Sequence, residues 1–269
     1  MLTPAKYKNA RGEGKAIRKR ADEGGLYLSR KNLKTLLRSW TSDPNESELT
    51  TWYPRVRARL SELWLLKAIG TTLFFTLFFI GYFYLLRHPI YPLTIMPLTA
   101  LDRMMDFQPG AFALYASLWV YTSIPPALQP NLRALVAYGM VIGCLCLVGM
   151  ACFLFFPTAT PPPGIDWAQF PTLSILQRID ASGNACPSLH VAGAVFSGVW
   201  LNHQLREIGV PAAMRWLNWL WCAGIVYSAL ATKQHVVWDA TAGLILALIF
   251  AALSLPRKSA PKAALQNLA

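Results

Sequence analysis

Two short stretches hold residues whose types and spacing can do chemistry. The first, Asn184-Ala185-Cys186-Pro187-Ser188-Leu189-His190, stands immediately before an apolar run from Val191 to Leu201. Serine in that place predicts a helix N-cap, and the amides of the next turn, at the positive end of the helix dipole, make a ready anion site. His190 then points at whatever anion binds; taken alone, the pattern also suits a plain cap beside an interfacial histidine. The second stretch, Ser228 to Asp239, crosses a turn containing Lys233, Gln234 and His235 and enters the last apolar segment. His235 and Asp239 are four residues apart, so on a helix they lie about 40° apart and one turn along. Asp239 can accept a hydrogen bond from one imidazole nitrogen, fix the tautomer and leave the other nitrogen as a nucleophile. An aspartate one turn inside an apolar helix is costly unless partnered, which marks it as a functional candidate. A structural His and Asp pair stitching helices together is the alternative reading.

The elements that must position these residues belong in a bilayer. Hydrophobic residues make up 54% of the 269, and the mean hydropathy of +0.35 exceeds what a water-soluble surface tolerates. A net charge of +12 would also suit a nucleic-acid binder, so the placement of the charge decides. Fifteen of the 25 Lys and Arg residues precede Leu73 and most others fall between apolar runs, the positive-inside pattern of membrane proteins rather than a nucleic-acid footprint. Cys144, Cys146, Cys152, Cys186 and Cys222 show no Cys-x-x-Cys pair, which argues against a disulfide framework or a zinc site. Met1 to Arg20 is basic and lacks an apolar core, so a cleavable signal peptide is not expected and the amino terminus is expected in the cytosol.

Six apolar segments are expected to cross the membrane, near Trp64 to Leu86, Gly110 to Leu128, Ala134 to Phe156, Leu189 to Asn202, Trp216 to Ala231 and Val236 to Leu255. Pro125-Pro126 is expected to end the second. The expected fold is all-α, a polytopic membrane protein with six transmembrane helices in a bundle and its catalytic loops on the outer, non-cytosolic face. Residues 1–62 read as a basic cytosolic tail, in which Leu33, Leu36, Leu37 and Trp40 follow the spacing of a membrane-surface helix. Residues 63–257 form the six-helix domain, and 258–269 a second basic cytosolic tail. Alternation then leaves Arg87, Arg103, Arg178 and Lys233 outside and places both chemical stretches at one membrane level. His88 and His203 have no comparable surroundings and read as interfacial or loop residues.

Pro187-Ser188-x-His190 and Ser228-x6-His235-x3-Asp239 resemble the second and third signature motifs of the type 2 phosphatidic acid phosphatase superfamily, the lipid phosphatases related to vanadium haloperoxidases. The wording Pro-Ser-Leu-His-Val-Ala, and the prolines of Pro157 to Pro163, are most similar to the branch that includes inositol phosphorylceramide synthases. The resemblance covers about Phe156 to Gly243.

That resemblance implies a covalent mechanism in which His235 attacks phosphorus, Asp239 orients it, and His190 serves first as acid and then as base, activating water or an alcohol headgroup acceptor. Ser188, Leu189 and nearby cations would hold the phosphate; no metal or organic cofactor is required. The implied partners are a lipid phosphate and the bilayer, not nucleic acid. The family's usual arginine after the third-motif serine is Ala229 here, and its first motif has only Pro161-Pro162-Pro163 as counterpart, so Lys233 and Arg178 are the candidates to supply the missing charge. An inner bacterial membrane, with the site facing the periplasm, is the expected location. Competing readings are an inactive lipid-phosphate binding or transport protein of the same fold, and a bis-histidine haem or metal protein.

Overall fold

The computed structural model describes residues 44–170 and 184–255. The Leu33 to Trp40 helix, Arg178 and the carboxy-terminal basic residues Arg257, Lys258 and Lys262 lie outside them. The chain divides into Met1–Thr50, of which only the start of one helix is described, and Thr51–Ala269, which holds everything that follows.

The described residues are mostly helical: α1 (Pro44–Ser61), α2 (Trp64–Arg87), α3 (Ala100–Met104), α4 (Phe112–Ala116), α5 (Leu118–Ala127), α6 (Leu132–Phe155), α7 (Leu189–Ile208), α8 (Ala212–Ala231) and α9 (Val237–Ser254). Strands β1 (Thr94–Ile95) and β2 (Thr158–Ala159) pair in parallel, Thr94 opposite Thr158. By length and composition α2, α6 and α9 can each cross a membrane. Their apolar residues run all round the helix, and many stay exposed, Leu77, Ile80, Leu147 and Leu253 among them, as a surface solvated by lipid requires.

The second apolar run differs from its expected single helix. A 3₁₀ turn, Pro109–Ala111, leads into α4, and α5 follows after Ser117. Pro125 and Pro126 sit inside the last turn of α5 rather than before its end. The turn closes through Leu128 N–H on the Ile124 carbonyl, 3.1 Å, while the Pro125 carbonyl accepts from Gln204 Nε2 at 2.9 Å.

Helix α7 is the centre of the bundle, packed on α5, α8 and α9. Ala192, Ala194, Phe196 and Ser197 are fully buried, and only Arg206 and Glu207 near its end are exposed. Small residues set the approach of α9: Ala240, Gly243, Ala247 and Ala251 are all buried on one stripe. A Cβ on Gly243 would stand 2.3 Å from the Ser188 carbonyl oxygen, so only glycine fits there. Deeper in the bundle, Tyr121 donates to Asn218 Oδ1 at 2.6 Å and Asn218 Nδ2 donates to the Gly198 carbonyl at 3.0 Å, tying α5, α8 and α7 with every group partnered.

Polar contacts gather at two ends of the bundle. At one, Lys67 Nζ donates to the Arg59 and Ala127 carbonyls at 2.6 and 3.0 Å, and Arg55 to that of Ile208 at 3.2 Å. At the other, Gln108 N–H reaches the Ala231 carbonyl, Ala185 N–H reaches Thr158, and Asn184 Nδ2 reaches the Tyr82 carbonyl, at 2.9, 3.1 and 3.0 Å. Both chemical stretches lie at this second end.

Candidate active site

Ser188 performs the capping role its place predicts. Its Oγ accepts from Val191 N–H at 3.1 Å and its carbonyl from Ala192 N–H at 2.9 Å, leaving the Leu189 and His190 amides at the head of α7. Ser188 N–H in turn donates to the Asp239 carbonyl, 3.0 Å, so the start of α7 is fastened directly to the start of α9.

The His235 and Asp239 pair forms, though not by the geometry the spacing suggests. Helix α9 begins at Val237, with Val236 as N-cap, so His235 precedes the helix. Asp239 Oδ1 accepts from Val236 N–H at 3.1 Å, folding the chain back over the first turn, and Oδ2 then stands 3.4 Å from His235 Nδ1. The carboxylate is fully buried and the imidazole 11% exposed. His235 N–H is held at 3.1 Å by the carbonyl of Ala229. Ala229 itself is completely buried, which leaves no space for the arginine that the family's motif carries there.

His190 is brought to face His235, with ring centroids 6.1 Å apart. Tyr115 fixes it by stacking, at 3.9 Å and 7° between planes. His190 Nε2 is buried without a hydrogen-bond partner, an expensive state for a ring nitrogen unless a ligand uses it.

His235 is where a strongly apolar cavity meets a second one of mixed, more polar lining. One, of about 460 Å³, also touches His190 and Leu189 and is walled by aromatic residues of α2 with Tyr115, Leu118 and Trp119. The other, of about 380 Å³, is lined by Arg103, Asp106, Lys233, Thr160 and Pro161-Pro162-Pro163. The proline run therefore forms wall rather than charge. Lys233 borders this polar cavity, but its ammonium donates to the carbonyls of Asp102, at 2.9 Å, and Met105, capping the carboxyl end of α3. Its φ of 59°, unusual for a residue with a Cβ, is maintained by those contacts and by its N–H on the Leu230 carbonyl at 3.0 Å.

Three further residues belong to this end, and of these only Arg103, among the cations expected outside, stands out in the sequence. Asp102 is buried; its Oδ2 closes a capping box with Thr99, and its Oδ1 accepts from Val237 N–H at 2.9 Å, the amide next to the one Asp239 holds. The Thr99-x-x-Asp102 spacing was the available signal. Arg103 lies on the polar cavity with one nitrogen 3.2 Å from the Leu98 carbonyl. Tyr115 gave no signal beyond its place in an apolar run. His88 and His203 stand apart from the site, His88 Nδ1 at 2.9 Å from the Tyr84 carbonyl and His203 at 3.2 Å from Glu207. Burial pushes the Cys186 thiol up to about 11, so it is a neutral thiol and not a competing nucleophile.

A family model described as the PAP2 superfamily matches residues 103–253, which include His190, His235 and Asp239 and run from α3 to the end of α9. This chain belongs to the PAP2 superfamily. Members are generally phosphatases, so membership supports an enzyme of phosphatase-type chemistry on lipid phosphates. The match leaves α1 and α2 outside, although α2 supplies much of the apolar cavity wall. No curated relative and no solved structure matches the chain.

Proposed function

We propose that this PAP2 chain is an integral membrane enzyme that cleaves or transfers a lipid phosphate ester through a phosphohistidine on His235. The observation that carries the proposal is the pair of facing histidines, 6.1 Å apart, at the junction of an apolar and a polar cavity. With Asp239 engaging Nδ1, Nε2 of His235 is the nitrogen left for phosphorus. Its lone pair forms the N–P bond while the P–O bond to the leaving group breaks, and His190 donates the proton that oxygen needs. In the second half His190 takes a proton from water or an alcohol, whose oxygen displaces histidine from phosphorus. The amides heading α7 stabilise the equatorial oxygens of the five-coordinate state, with Ser188 and Leu189 framing them. Lys233, and Arg178 in the segment that follows the prolines, supply positive charge; Arg103 on the cavity wall is a third source.

The apolar cavity suits a hydrocarbon tail and the polar one water or a headgroup acceptor. In this reading α4 and α5 together, α7 and α8 complete six spans with α2, α6 and α9, and the site end faces away from the cytosol, in a bacterial inner membrane. The wording around Ser188 and His235 favours headgroup transfer of the inositol phosphorylceramide synthase-like kind. A panel of lipid phosphates assayed side by side for released phosphate and for exchanged headgroup tests the reading. Release alone identifies a phosphatase, exchange a transferase, and neither with any lipid phosphate overturns the proposal.

A further inference from the structure

Below the tail cavity lies a second apolar cavity of about 320 Å³, and the two share Phe74, Phe75, Thr122 and Ile142 as lining. They therefore stand end to end along α2. The outer one begins at the two histidines. In the inner one, Gly70 of α2 and Gly139 of α6 line the walls part-way down, and the far end is closed by Leu66, Leu132 and the buried stem of Lys67, whose ammonium turns away to the Arg59 and Ala127 carbonyls. Gly70 is exposed and Gly139 half-buried, and neither has any atom within 4 Å of where a Cβ would be, so a side chain at either would project into open space rather than press on a neighbouring helix. Both contrast with Gly243 and Gly149, where a neighbour fills that space.

Tyr82 lines the outer cavity and Lys67 the inner, 15 residues apart on α2, or about 22 Å at 1.5 Å per residue. One leaflet supplies only half of roughly 30 Å of hydrocarbon. The paired cavities are thus deeper than a single leaflet, and they are continuous with the site where the phosphate reacts.

We propose that the inner cavity receives the far end of the substrate's own hydrocarbon chain, with Gly70 and Gly139 leaving open the passage that a long chain needs. This rests on the reading of the outer cavity as the tail site of a lipid phosphate. It makes the preferred substrate one with a chain long enough to pass the bilayer midplane. A side chain at either glycine shortens the accessible depth, and each methylene excluded forfeits its burial.

Photolabelling of the full-length chain in nanodiscs tests this without requiring turnover. The probes are a long-chain and a short-chain alkyl phosphate, each with a diazirine at its terminal carbon. The long probe is expected to label α2 and α6 near Thr71 and Val136, and the short probe to label the outer cavity. Gly139→Leu, which helix propensity favours, should lower inner labelling by the long probe about tenfold, equivalent to about two buried methylenes; Gly70→Leu tests the opposite wall. Labelling needs no turnover, so an unmodified chain that labels as described but neither cleaves nor transfers any lipid phosphate leaves this inference standing while the catalytic reading fails. Identical labelling by both probes in the unmodified chain, or inner labelling unaltered by both leucines, overturns the proposal and assigns the inner cavity to bilayer lipid.

Discussion

Asp239 holds His235 from the first turn of α9 with a carboxylate that does two things at once: Oδ1 accepts the Val236 amide at 3.1 Å and Oδ2 faces His235 Nδ1 at 3.4 Å. One oxygen shapes the backbone that presents the histidine, and the other stands where, in the proposed mechanism, it selects the tautomer. The two functions separate under substitution.

Asp239→Asn retains an oxygen for the Val236 amide, so the protein should fold and keep its elution profile in detergent. It loses the negative charge beside Nδ1, and turnover should fall about a hundredfold or more, with little change in KM. Full activity in this variant contradicts the orienting role.

Asp102 anchors the same helix start from the other side, through Val237 N–H and the Thr99 turn. Asp102→Ala leaves a buried amide without its partner and should cost about 1–3 kcal/mol in denaturation. Because the released segment carries His235, kcat should fall more than KM rises, and kinetics beside a melting curve will show whether both effects occur.

Gly243→Ala would drive a methyl group into the Ser188 carbonyl. The helices α7 and α9 must separate, costing about 1–3 kcal/mol. Since Ser188 N–H is also bonded to the Asp239 carbonyl, the surviving folded fraction should turn over slowly as His190 and His235 move apart. A normal melting temperature with normal kinetics would show that this contact does not set the site.

The motif residues and their meeting were legible because the chemistry needs fixed types at fixed spacing, and because Ser188, His190, His235 and Asp239 each precede or open an apolar run. The apolar runs themselves fixed the positions of α2, α6 and α9 to within a residue or two. What the sequence hid were contacts between distant segments. Helical spacing predicts the His235 and Asp239 pair on a helix, whereas the N-cap at Val236 creates it by folding the chain back. Pro125 and Pro126 lie within the last turn of α5, where Gln204, far along the chain, donates to the Pro125 carbonyl. Lys233 is the sequence's candidate for the missing phosphate-holding charge, yet its ammonium also caps α3, a short helix with no periodic signal in five residues. Tyr115 stacks on His190 across a separation that no local pattern encodes.

The most direct test of the phosphohistidine is trapping. Full-length chain incubated with a phosphorus-labelled lipid phosphate and quenched in denaturant should carry label that is stable in base and lost in acid, mapping to His235. His235→Ala should carry none, and His190→Ala should retain label longer because the water or alcohol lacks its base. Turnover of the lipid by the unmodified chain with no label in either it or His190→Ala, or label that persists in His235→Ala, contradicts the account.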